Sequence, residues 1–209
     1  MIKFENIHLD FNGKTVIEDL SIEINRGDKV VISGKSGCGK SSLLSLVLGF
    51  IRPDRGVVLF DGVTVDEKTV WDVRRKVAYI DQDVSLGAGT VQEFFNYVSN
   101  LKGNSHSGMT LIELMKFFHL DISLFLKSTG ELSGGERQRM AVVTAILLKR
   151  DVFFLDEVTS SLDKDLKKKV ADYFLGREDS TCIIVSHDPV WLDNSVVRVF
   201  DFEEKKWKR

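Results

Sequence analysis

The sequence has little of what marks several large classes of protein. Its 209 residues include two cysteines, Cys38 and Cys182, neither with a neighbour at metal-ligand spacing, so neither a disulfide framework nor a cysteine metal site is indicated. A reduced, cytosolic compartment is the matching expectation. Strictly apolar stretches fall far short of the ~20 residues a membrane helix needs. Met1-Ile2-Lys3-Phe4-Glu5 carries no apolar leader region, so no secretory signal is expected. There is no long basic block, and the net charge is −2, which leaves bulk nucleic-acid binding without electrostatic support. The run Lys167-Lys168-Lys169 sits among Asp163, Asp165 and Asp172 and reads as a solvated helix face. Internal repeats, low-complexity tracts and coiled-coil insertions are missing too. What remains, 43% hydrophobic and 29% charged, suits one soluble domain large enough to bury a real core.

The chain is organised around Ser33-Gly34-Lys35-Ser36-Gly37-Cys38-Gly39-Lys40-Ser41, followed by Ser42. Gly34 to Ser41 fits G-x-x-x-x-G-K-[ST], between the apolar run Val30-Val31-Ile32 and the helical pattern Leu43, Leu44, Leu46, Val47, Leu48. Glycines let successive N–H groups turn toward an anion, and a helix N-terminus adds partial positive charge. In such a loop Lys40 reaches the β- and γ-phosphates of a nucleoside triphosphate and the Ser41 hydroxyl ligates Mg²⁺.

Upstream, Ile2, Phe4, Ile7, Leu9, Phe11 and then Val16 to Ile24 alternate in strand fashion, broken at Asn12-Gly13 and Asn25-Arg26-Gly27-Asp28. This predicts a small antiparallel sheet leading into a parallel strand over Lys29–Ser33. A helix over Ser41–Phe50, a strand at Val57–Phe60 with a turn at Asp61-Gly62, and a buried strand at Val77–Ile80 follow. Thr90-Val91-Gln92-Glu93 and Thr110-Leu111-Ile112-Glu113 are capping boxes, each opening an amphipathic helix. The first continues through Leu101, and Gly103 to Gly108 is a polar loop. Strand–helix alternation resumes with Val152–Leu155, Lys164–Phe174, Thr181–Val185 and Val196–Phe202. The expected class is α/β: a P-loop NTPase (RecA-like) core with an N-terminal antiparallel β subdomain and an inserted α-helical subdomain. As one domain over 1–209, it divides into a core of about 1–85 and 145–209 and helices over about 86–144.

Leu132-Ser133-Gly134-Gly135-Glu136-Arg137-Gln138 opens another helix. Ser133 and Glu136 form a capping box that would start any helix. The Gly134-Gly135 pair does not follow from capping, since glycine costs a helix about 1 kcal/mol per residue unless something must come close to the backbone. A bare helix N-terminus there is a second anion site.

Leu132–Gln138 resembles the signature motif of ATP-binding cassette (ABC) ATPases, the nucleotide-binding domains of ABC transporters. The resemblance covers essentially the whole chain, with the motifs in the family's order. It implies that Val152–Glu157 is the Walker B strand, with Asp156 at the Mg²⁺ shell and Glu157 as general base for the attacking water. It also implies a D-loop at Ser161-Leu162-Asp163, a switch histidine at His187 that contacts the γ-phosphate, and a Q-loop glutamine at Gln82 that senses Mg²⁺ and water. Asp163 reads equally as a helix N-cap. Phe11 matches the aromatic position that stacks on adenine, and fits a core strand residue as well. Val158, Ser161 and Asp81 stand where many relatives carry proline, alanine and proline.

The resemblance further implies that Lys40 of one subunit and Ser133–Gly135 of another clamp the same ATP. A homodimer, or a heterodimer with a similar chain, would then form around nucleotide. Transport would need separate transmembrane permease subunits docking near Gln82 to Phe95 and holding the chain at the cytoplasmic face of a membrane. The alternatives are a soluble ABC-type ATPase not engaged in transport and a P-loop kinase or GTPase.

Overall fold

In the computed structural model, which describes residues 1–100 and 109–209, the chain opens with β1 (Ile2–Phe11) and β2 (Lys14–Ile24), paired antiparallel. β3 (Lys29–Ser33) leads through the glycine-rich loop into α1 (Lys40–Val47). β4 (Arg55–Phe60) returns beside β1, and β5 (Val63–Thr64) completes a four-stranded antiparallel sheet in the order β2-β1-β4-β5. Next come α2 (Val70–Lys76), β6 (Val77–Ile80), α3 (Val91–Ser99), α4 (Leu111–Phe117) and α5 (Gly134–Leu147). The chain ends with β7 (Val152–Asp156), α6 (Lys164–Leu175), β8 (Thr181–Val185), α7 (Pro189–Leu192), β9 (Arg198–Asp201) and β10 (Lys206–Trp207). The second sheet has six strands in the order β10-β9-β3-β8-β7-β6, parallel except for β10 at its edge.

The middle residues of the parallel strands are apolar because both faces of their sheet are covered. Strand periodicity then divides each strand between two cores. Val31, Phe153, Leu155, Cys182 and Ile184 face a cluster with α3, α4, α5 and α6. Val30, Ile32, Val152, Phe154, Ile183 and Val185 face a second cluster filled by α1 and the antiparallel sheet. The phosphate loop is therefore anchored from both sides of the sheet.

Local capping places the insert. Thr90 Oγ1 accepts from Glu93 N at 3.2 Å while Glu93 Oε2 accepts from Thr90 N at 2.8 Å, and Thr110 with Glu113 repeats the arrangement. The two expected features at Leu101 and Gly103–Gly108 lie outside the described residues. α5 crosses the expected boundary at 144/145 as one uninterrupted helix.

Some expectations need correction. α1 ends at Val47, three residues early, because Gly49 takes φ +63° and turns the chain. The last parallel strand is shorter, Arg198–Asp201. The lysine run is not one solvated face: Lys168 pairs outward with Asp172, but Lys167 turns to Asp188 at 2.7 Å and Lys169 reaches His119 Nε2 at 2.6 Å. Three consecutive helical positions span too wide an arc to share an exposure.

Candidate nucleotide-binding site

The site lies at the C-terminal ends of β3, β7 and β8, where ligands sit in open α/β sheets. Gly39 is the N-cap of α1 with φ +107°, and a Cβ there would stand 2.6 Å from Val16 Cγ1, so only glycine fits. Lys40 is 8% exposed, and its Nζ donates to the Gly34 and Lys35 carbonyls at 2.8 and 2.7 Å. These contacts curl the side chain over the loop, so that its ammonium is partnered by neutral oxygens.

A cavity of about 780 Å³ opens over this loop, within the size range of small-molecule sites. Of the residues expected from sequence, Phe11, Gly34, Lys35, Ser36, Gly37, Gly39, Lys40, Ser41, Ser42, Gln82, Asp156, Glu157 and His187 line it. Phe11 is 62% exposed at the rim, which removes the core-strand alternative. Cys38 is not among the lining residues; it borders a neighbouring pocket with Thr15 and Phe202, and Lys40 Nζ donates to its Sγ at 4.0 Å. Ser133, Gly134, Gly135, Glu136, Ser161, Leu162 and Asp163 lie outside the cavity.

Asp156 is 1% exposed, and its Oδ1 has no hydrogen-bond partner. Burial pushes its carboxyl above the usual range, with the Ser41 hydroxyl opposing this and the Asp81 and Glu157 charges adding to it. Glu157 holds a left-handed backbone, φ +46°, tied by its N–H to the Val185 carbonyl at 2.9 Å. A non-glycine residue in that region is strained by about 1–2 kcal/mol. The turn directs the side chain across to β8, where Oε1 meets His187 Nδ1 at 3.0 Å and Oε2 accepts from Ser186 Oγ at 3.4 Å.

The second anion-type feature is separate. Ser133 Oγ accepts from Glu136 N at 3.2 Å, and Glu136 Oε2 accepts from Ser133 N at 2.8 Å, which holds the Glu136 carboxyl below its usual range. Helix geometry leaves the Gly134 and Gly135 N–H groups without intrahelical acceptors. The two glycines differ in surroundings. A Cβ on Gly134 would meet nothing within 4 Å, whereas one on Gly135 would stand 3.3 Å from the Ser161 carbonyl oxygen. Asp163 Oδ1 caps α6 by accepting from Leu166 N at 2.9 Å, and Leu162 is buried.

Sequence reasoning missed Leu9, Val16, Ser45, Ile51, Ser160 and Val185 as lining residues. Ser45 lies one helical turn beyond Ser41, a spacing that was available as a signal. A further groove of about 320 Å³ lies between β6, α3 and α5, walled by Phe50, Tyr79, Val84, Leu86, Phe94 and Leu148. Beside it the Arg74 guanidinium stacks between Phe50 and Trp71, 4.8 and 5.0 Å from the ring centres.

A phosphate loop closing a parallel strand, with a carboxylate pair at the end of β7 on the far side of β8, defines a P-loop nucleoside triphosphatase. The chain belongs to the ABC transporter family, whose model matches residues 17–160. It is an ATP-binding subunit of that family, and its ATP hydrolysis is coupled to transport. It is 31% identical over 194 residues to the ergothioneine transport ATP-binding protein EgtV of Helicobacter pylori, covering 90% of each chain. It is 27% identical over 191 residues to the probable iron export ATP-binding protein FetA of Escherichia coli, covering 90% of this chain and 85% of that one. Among solved structures, the dimeric post-hydrolysis state of the ATP-binding cassette MJ0796 bound to ADP and Pi aligns with TM-score 0.80 and 23% identity, over 100% of this chain and 97% of that one. A bacterial Atm1-family ABC exporter with ATP bound aligns with TM-score 0.85 and 22% identity, over 100% of this chain and 38% of that one. At these identities the structural likeness concerns the fold. Among the described residues no helix is long and apolar enough to cross a membrane.

Proposed function

We propose that two copies of this chain, or this chain and a similar one, clamp ATP head to tail and hydrolyse it to power separate permease subunits. Phe11 stacks on the adenine, and residues 34–42 cradle the phosphates through their N–H groups. Lys40 exchanges its two carbonyl partners for the β- and γ-phosphates, trading neutral acceptors for charged ones. Glu157 takes the proton of the attacking water, with the strained turn and the contact to His187 aiming its carboxylate. His187 touches the γ-phosphate, and Gln82 links its state to the helical unit of about residues 86–144, which with the core of about 1–85 and 145–209 makes one domain.

Ser41, Asp156 and Gln82 would hold Mg²⁺, and the unpartnered buried Asp156 Oδ1 suits a hard cation. Bound there, Mg²⁺ supplies charge neutralisation for the phosphates.

What carries this reading is one separation. The cavity gathers Lys40, Gln82, Asp156, Glu157 and His187, while the exposed helix tip at Ser133–Gly134 belongs to another part of the surface. A second molecule would present that tip, and residues 161–163 beside it, to the phosphates. The groove walled by Tyr79, Leu86 and Phe94 is the docking place for a permease segment, which puts the chain at the cytoplasmic face of a membrane. Relatives named for export and for import share this cassette, so cargo and direction belong to the membrane partner.

Sizing of Glu157→Gln with and without ATP tests the reading. Slowed hydrolysis should trap a nucleotide-dependent dimer; a chain that remains monomeric at saturating ATP refutes it.

A further inference from the structure

Behind the Glu157–His187 pair lies a polar cluster with no part in the chemistry above. Thr159 and Trp191 are both 0% exposed. Trp191 Nε1–H donates to Thr159 Oγ1 at 3.1 Å, and the Thr159 hydroxyl donates onward to Asp188 Oδ2 at 3.1 Å. Lys167, in the first turn of α6, reaches the same Oδ2 at 2.7 Å. Asp188 Oδ1 accepts from Val190 N at 3.2 Å, and Asp188 N–H donates to Ser186 Oγ at 3.1 Å. The Ser186 hydroxyl then donates to Glu157 Oε2 at 3.4 Å.

The cluster closes a ring. It runs from Glu157 through Ser186 and Asp188 to Thr159, which returns along two residues of backbone to Glu157. His187 has a side chain that is 83% exposed, so its own burial holds it weakly. Its two chain neighbours, Ser186 and Asp188, are the anchored ones. A threonine hydroxyl has one proton to give, and here that proton goes to Asp188 while a lone pair takes the indole N–H. A valine would fill the same buried space, so the hydroxyl is not needed for volume. Its removal would leave the buried indole N–H without an acceptor and Asp188 Oδ2 with Lys167 alone.

We propose that Thr159, supported by Trp191 and Lys167, is a positioning residue for hydrolysis: it ties the turn after β7 to the segment after β8 so that His187 and Glu157 meet. The inference rests on the roles given to Glu157 and His187 above. Because Lys167 follows residues 161–163 by one helical turn, displacement of that segment bears on Asp188, and through it on His187.

Steady-state ATPase and nucleotide binding of Thr159→Val, Thr159→Ser and Glu157→Gln in the full chain test it. Thr159→Val should lower kcat about 10-fold, within the ~100-fold that a 1 Å misplacement costs. Its KM for ATP should stay within about twofold, and Thr159→Ser should recover most of the turnover. Should Thr159→Val fold poorly, Lys167→Met, at a side chain 29% exposed, removes the outer support and should show the same kcat-selective loss. Wild-type kcat in these variants, or a loss shared by kcat and binding that serine does not recover, overturns the proposal. An inactive Glu157→Gln beside an unaffected Thr159→Val refutes the positioning role alone; a fully active Glu157→Gln refutes the assignment on which it rests.

Discussion

Replacing Gly134 with alanine separates what the helix tip does for its own chain from what it does for a neighbour. In one chain the added methyl meets no atom within 4 Å, and the position is helical, so the change removes unfolded-state entropy without a clash. That contributes about 0.4–1 kcal/mol, or roughly 1–4 °C in Tm for a domain of this size. Gly135→Ala is the internal comparison. Its methyl would stand 3.3 Å from the Ser161 carbonyl, so a shift of a few tenths of an ångström consumes the same gain. In the proposed dimer the order should reverse, because a methyl on Gly134 would occupy the approach of the other subunit's phosphates to the bare N–H groups. Thermal unfolding without nucleotide, and sizing with ATP in a Glu157→Gln background, read the two effects. Gly134→Ala should raise Tm and abolish the ATP-dependent dimer. A lowered Tm would mean the position is filled within the chain, and undiminished dimerisation would mean no phosphate comes there.

Asp156→Asn should raise the Tm of the nucleotide-free chain while abolishing ATPase activity. The Asp156 carboxyl is raised by burial, so the folded state binds the extra proton and wild-type stability falls as pH rises past the unfolded value. The gain from Asp156→Asn should therefore shrink as pH falls toward the ordinary carboxylate range and grow as pH rises above it; a gain that grows on acidification contradicts this. Alkylation of Cys38 should inactivate through distortion of the loop, because its Sγ is 3.1 Å from the Cβ position of Gly34. Cys38→Ser should resist the same reagent, and equal inactivation of both chains would place the damage elsewhere.

Features coded by contiguous residues were legible in the sequence. The phosphate loop, the capping boxes at Thr90, Thr110 and Ser133, and the apolar parallel strands each declare themselves within about ten residues. Ser128 and Glu131 form another such box that the same rule would have found. Long-range arrangements were not legible. Thr159 and Trp191 meet across 32 positions, and nothing in either neighbourhood announces the other. The left-handed backbone at Glu157 has no local signal, since glutamate rarely adopts it. The exposure of Phe11 depends on its place at the end of a hairpin whose pattern also suits a core strand. α2, seven residues with a single Val70–Val73 apolar pair, is too short to show a helical period.

The two ends of the six-stranded sheet treat their buried charges differently. Where β3 begins, Lys29 is 6% exposed, yet its ammonium meets the Arg177 and Ser180 carbonyls and the Ser180 hydroxyl. Burial lowers its pKa, and the chain supplies every proton of the ammonium with an acceptor. Where β7 ends, Asp156 is as deeply buried and its Oδ1 has none, and the next residue is forced into a left-handed turn. One sheet with one hydrophobic environment thus completes a buried charge at its N-terminal edge and leaves another incomplete at its C-terminal edge. Folding alone favours satisfying both, since an unmatched buried polar group costs about 1–3 kcal/mol. Retaining that cost beside the phosphate loop agrees with the proposal that substrate and cation complete the shell of Asp156. Stability gained by Asp156→Asn should accordingly come with lost turnover, whereas substitution at Lys29 should lower stability while leaving the kcat of the folded fraction intact.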